Sequence, residues 1–180
     1  MSSRTKRTRL AACTIGLLTA ATLALSTSPA SASGTYSGLA YVYGAGVFAD
    51  DWGNEGIVDT SHNTSSNATC LWQKVLYADG LLSASAIDGI FGSGTATATE
   101  KWQVLYDSAH TADGSAGQNT WTAAGTYLRN SSDSTDGNTV SYYRGYAHNI
   151  SLSRDSSGYY HFYDGDGNAR IAGYDYRTCS

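Results

Sequence analysis

The sequence predicts an α+β fold, in which a small three-helix module precedes a short C-terminal antiparallel β meander. Three observations point to it. A D-G-x-x-G-x-x-T pattern occurs twice, 25 residues apart, at Asp88–Thr95 and Asp113–Thr120. A Trp-Gln pair occurs twice, at Trp72-Gln73 and Trp102-Gln103, each followed by Val-Leu-Tyr. Beyond residue 140, tyrosines crowd between the turn-forming runs Asp155-Ser156-Ser157-Gly158 and Asp164-Gly165-Asp166-Gly167.

Each element has a local cause. A first helix is expected after the polar run 59–69, capped by Asn67 or Thr69, with Leu71, Trp72, Val75 and Leu76 on its apolar side. Gly80 stands where it would stop. A second helix is expected from about Ser93 to Leu105 and a third from about Gln118 to Leu128. In each repeat, Asp-Gly makes a tight turn, the second Gly precedes a helix start, and the Thr falls in the first turn. Residues 130–136 read as a polar linker, and the tail as three or four short strands.

Residues 1–32 read as a signal peptide. Arg4, Lys6, Arg7 and Arg9 form a basic start, Leu10–Leu25 an apolar run, and Ala30-Ser31-Ala32 a small-x-small cleavage site. Leu10-Ala11-Ala12-Cys13 resembles a lipid-attachment box, but its cysteine opens the apolar run instead of following it. No membrane association is expected after cleavage, and the expected location is secreted or at the cell wall. The mature chain keeps 7 basic and 15 acidic residues, a net charge of −8. That balance argues against nucleic acid, which needs a basic patch. Export also implies that Cys70 and Cys179 pair. Residues 33–66 form a Gly/Tyr-rich segment, 67–128 the helical module and 129–180 the Tyr-rich β tail.

The helical module resembles the peptidoglycan-binding domain of secreted bacterial wall proteins. That family places Leu-Gln on its first helix, then D-G-x-F-G-x-x-T, A-V-x-x-F-Q on the second helix, D-G-x-v-G-x-x-T-W and a final Leu. Trp72-Gln73 answers the first step; Asp88, Gly89, Phe91, Gly92 and Thr95 the second. Ala98, Trp102 and Gln103 answer the second helix, and Asp113, Gly114, Gly117, Thr120 and Trp121 the rest. The match covers about 60 of 148 mature residues. Tryptophans replace Leu and Phe before both glutamines, Thr99 replaces Val, Ala116 fills an aliphatic position, and Ala124 stands near the final Leu. More loosely, the whole mature chain resembles small secreted proteins of high-G+C Gram-positive bacteria with this module and a Tyr-rich tail ending in Cys.

The resemblance implies a non-catalytic binder of peptidoglycan glycan or stem peptide, held in a shallow groove near the D-G turns and the second helix. Candidate contacts are Gln73, Asp88, Gln103, Asp113 and Trp121, each with a competing role in a turn or core. Tyr159 and Tyr163 are candidates on the tail, where with His161 they would share one face of a strand and could stack on sugar rings. A module that keeps the fold and recognises another secreted protein is the alternative. Catalysis has little support: no short zinc spacing or G-x-S-x-G elbow occurs, and Glu55 and Glu100, the only glutamates, form no evident acid/base pair. No cofactor or metal is expected. Asp164–Asp175 begins like a calcium loop, but Ala169 stands where that loop needs Gly.

Overall fold

The computed structural model describes residues 39–180. The expected signal peptide and the first residues of the Gly/Tyr-rich segment lie outside the described residues. The described chain is α+β. Helices α1 (Asn67–Ala78), α2 (Ser93–Tyr106) and α3 (Gln118–Gly125) precede a five-stranded antiparallel sheet. Its strands are β1 (Leu128–Arg129), β2 (Tyr142–Arg144), β3 (Asn149–Arg154), β4 (Tyr160–Tyr163) and β5 (Ala169–Ile171), each paired with the next. Among the described residues no helix is long and apolar enough to cross a membrane.

Helix α1 is capped by Ser66, not by Asn67 or Thr69. The Ser66 hydroxyl accepts from the Thr69 N–H at 3.0 Å, satisfying one of the donors a helix start leaves free. Asn67 instead ties the C-terminal tail down: its Oδ1 accepts from the Thr178 and Cys179 N–H groups. At the other end Gly80 takes φ +73°, Leu81 N–H donates to Leu76 O and Gly80 N–H to Tyr77 O, the paired bonds of a Schellman stop. Helix α3 is shorter than expected. It ends at Gly125, packed within contact of Trp52, and Leu128 turns into β1 to pair with Tyr143. That pairing is why the sheet has five strands instead of three or four: Leu128, assigned to a helix by periodicity, is claimed by a strand partner distant in sequence.

One hydrophobic cluster runs through the described part of the Gly/Tyr-rich segment, the helices and the sheet. Trp52, Trp72, Trp102 and Trp121 are all fully buried within it. Trp121 stands edge-on to Trp52 at 5.2 Å and meets Trp72 at 5.2 Å. The inner face of the sheet adds Tyr143, Ile150, Leu152, Tyr160 and Phe162, alternating with polar outer positions. The Gly/Tyr-rich segment is part of this core. Val42 and Phe48 are buried, residues 48–54 form a 3-10 turn against α3, and Tyr41 and Tyr43 bridge to Gly173 and Tyr159.

The Cys70 and Cys179 sulfurs lie at disulfide distance, with Cα atoms 6.6 Å apart and a sequence separation of 109. The pair joins α1 to the end of the chain.

Candidate functional site

The two repeats build the same hydrogen-bonded latch. Gln73 Nε2 donates to Asp88 Oδ1, Ile90 O and Thr95 Oγ1, while its Oε1 accepts from the Asp88 and Gly89 N–H groups. Gln103 Nε2 donates to Asp113 Oδ1, Ser115 O and Thr120 Oγ1, and its Oε1 accepts from Gly114 N–H. Each Asp also accepts from the amide two residues on, Ile90 or Ser115. Gly89 and Gly114 sit at φ +71° and +74°, which a side chain would strain. The repeated D-G…T and Trp-Gln pairs are therefore parts of one device: a buried amide sewing a turn to the next helix.

This geometry decides what the candidate residues are free to do. Gln73 and Gln103 are buried with both ends of the amide engaged, so neither offers a ligand more than a polar floor. Asp88 and Asp113 are exposed, but each spends its Oδ1 on the turn. Trp121 is fully buried, so the expectation that it contacts a ligand is corrected: its ring belongs to the core. Tyr159 is half-buried against Tyr41, with ring centroids 4.4 Å apart. Tyr163 is 55% exposed on the outer face of β4, on the same side as His161. Neither tyrosine lines the groove beside the second latch.

The second latch borders an open groove of about 500 Å³. Gln103 and Asp113 line it with Ile57, His110, Gln118 and Asn119. The start of α3 forms one wall, and Gly117 caps that helix without a side chain of its own. Polar groups thus surround a shallow opening whose walls are held by Gln103. His110 leans on Asp107, its Nδ1 at 2.6 Å from Oδ1, and stays largely exposed. The first latch has no such freedom. Arg177 Nη1 donates to Asp88 O at 2.8 Å, and a side chain at Gly89 would fall 2.7 Å from Cys179 Sγ. The C-terminal tail packs against that turn at Asp88 O and Gly89.

Sequence reasoning missed His110, Gln118, Asn119 and Ile57. The loop 107–112 between the second helix and the second repeat carried no motif, although its position beside a D-G turn was a usable signal.

Three buried carboxylates also escaped it. Asp51 receives Arg154 Nη1 at 2.6 Å and the Tyr160 hydroxyl. Burial pushes its carboxyl up, while Tyr160 and Arg154 pull it back. Asp79 accepts from Trp102 Nε1, the Tyr143 hydroxyl and Tyr146 N–H. Glu55 accepts from Tyr43 N–H at 2.9 Å and from the Tyr174 hydroxyl at 2.7 Å. Burial raises the Glu55 carboxyl to about 8, against the pull of those hydrogen bonds. All three are committed to hydrogen bonds that join the N-terminal segment, the helices and the sheet. Asp164, at the start of the calcium-like run, is held by Arg170 Nε and by the Asp166 and Asn168 amides, the bonding of a turn. Among the described residues no group of three or more His, Cys, Asp or Glu is placed to hold a metal ion. No protein-family model, curated protein or solved structure matches the chain.

Proposed function

We propose that the chain is an exported, non-catalytic cell-wall protein that holds peptidoglycan in the groove beside its second D-G turn. The observation that carries this reading is the asymmetry of the two latches. The repeats form matching turns, the tail packs against the first, and the second borders a polar groove of about 500 Å³. Groups such as His110, Gln118 and Asn119 suit the hydroxyl, amide and carbonyl groups of a glycan or stem peptide.

Two departures from the peptidoglycan-binding pattern, Trp72 and Thr99, compensate one another, which supports the resemblance. Trp72, in place of Leu, donates its Nε1 to Thr99, in place of Val, at 2.9 Å. Trp102, in place of Phe, donates to Asp79 at 2.7 Å. Both substituting rings thus find an acceptor for the N–H they bring into the core, whereas Trp52 and Trp121 Nε1 have none.

The test is sedimentation of the mature chain, disulfide intact, with purified peptidoglycan sacculi. Retention that resists added salt is expected, because the mature chain is acidic and its grip would be hydrogen bonding. The double variant His110→Ala/Asn119→Ala should lower the retained fraction several-fold while leaving the fold intact, since both side chains are exposed. Retention no greater than that of an unrelated acidic protein would sink the reading and favour a secreted protein partner, for which the exposed rings of the β tail are the candidate surface. Release of soluble muropeptides would overturn the non-catalytic assignment.

A further inference from the structure

A second opening lies at the seam between the helices and the sheet. It has a volume of about 280 Å³, at the small end for ligand sites. Tyr106 reaches it from the end of α2, Tyr127 from just before β1, and Arg144 and Tyr146 from β2 and the hairpin that follows. Tyr106 and Tyr127 meet edge to face at 5.7 Å and form one wall. Tyr146 is 87% exposed, the most exposed large hydrophobic side chain among the described residues.

Tyr146 stands on a hairpin that is locked down. Its N–H donates to buried Asp79 at 2.9 Å. The next two amides, Ala147 and His148, both donate to Ala78 O, and the His148 ring stacks on Tyr77 at 4.5 Å. The fold thus fixes the backbone that presents a bare aromatic ring beside a cleft, which lowers the ordering cost of any ligand that stacks there. Arg144 supplies the complementary charge. Its Nη1 is held by Asp133 at 3.0 Å, and its side chain remains 54% exposed. Arg129 also lines the cleft, but its Nη1 donates to Thr126 O and Leu128 O and its side chain is 15% exposed, so Arg144 is the more exposed cation to meet an incoming anion.

We propose that this cleft binds a saccharide ring bearing a carboxylate, with the ring on Tyr146 and the carboxylate on Arg144. The proposal uses none of the groove residues and does not rest on the wall-binding reading. A lactyl-bearing wall amino sugar and a uronic acid share this chemistry, and the probes separate them.

The experiment titrates the mature chain with N-acetylmuramic acid and with N-acetylglucosamine, which lacks the lactyl carboxylate, following amide shifts by NMR. Glucuronic acid against glucose forms the second pair. The acidic member of at least one pair should bind about tenfold or more tighter than its neutral partner, with shifts centred on residues 144–147. Which acid binds identifies the source. Tyr146→Ala should abolish the shifts, and Arg144→Gln should reduce the acid to the level of the neutral sugar. Both side chains are exposed, so an unchanged spectrum elsewhere verifies the fold. Absence of binding by all four probes, equal binding within both pairs, or shifts that survive Tyr146→Ala would overturn the proposal. Sacculus retention by the groove variants reads different residues, so the two proposals can fail separately.

Discussion

Glu55→Gln should make the protein more stable at alkaline pH and leave it unchanged in mild acid. Glu55 is 1% exposed, tied to Tyr43 N–H and the Tyr174 hydroxyl, and Tyr174 in turn accepts from Gly56 N–H. Desolvation raises its carboxyl from 4.5 to about 8, and the nearby Asp51 charge adds to the rise. A raised folded-state value means that the folded chain keeps a proton which the unfolded chain releases. The favourable contribution is fully present below about pH 4.5 and is lost as pH rises through about 8. Each pH unit in that window costs about 1.4 kcal/mol, so the roughly 3 units between pH 5 and pH 8 cost on the order of 4 kcal/mol. Glutamine copies the neutral acid: its oxygen can accept from Tyr43 and its amide can donate to the Tyr174 oxygen. Urea unfolding at pH 5 and pH 8.5, with the disulfide intact, measures the effect. The variant should match the parent at pH 5 and exceed it by roughly 4 kcal/mol at pH 8.5. Burial also pushes Asp51 up, and that burial contribution is common to both proteins. Equal pH slopes for parent and variant, or a less stable variant at pH 8.5, would refute the reasoning.

Three further outcomes test the architecture. Gln103→Leu keeps the buried volume but strips Gly114 N–H and the Asp113 and Thr120 side chains of their shared partner; about 3 kcal/mol or more should be lost in denaturant unfolding. Trp121→Ala should cost about 3–5 kcal/mol by the same assay, with sacculus retention per folded molecule unchanged, because the ring is core and not contact surface. Replacing Cys70 and Cys179 together by Ala opens a loop of 109 residues and should cost about 4–5 kcal/mol. Hydrogen exchange at Gly89 and Thr178 should accelerate in that variant as the tail lifts from the first turn.

Much of this molecule was written locally. The D-G turns, the helix starts after Gly92 and Gly117, the stop at Gly80 and the hairpin turns before Tyr159 and after Tyr163 follow from residues within a few positions of one another. Backbone sterics and near-neighbour hydrogen bonds decide such features, so the sequence alone determined them, and the repeat announced two matching units before any contact was seen. The tertiary structure decided what those units are for. A glutamine at a repeated helical position reads the same whether it faces a groove or latches a turn; only the turn folding back over Gln73 and Gln103 buries them and uses up their amides. Leu128 has helical spacing, yet Tyr143, fifteen residues on, claims it for the sheet. The Gly/Tyr-rich segment shows no strong periodicity, and contacts more than a hundred residues away, Asp51 with Arg154 and Glu55 with Tyr174, make it part of the core. The open groove and the tyrosine cleft depend on how far one surface approaches another. Local patterns carry no record of that distance, because burial and packing between remote segments set it.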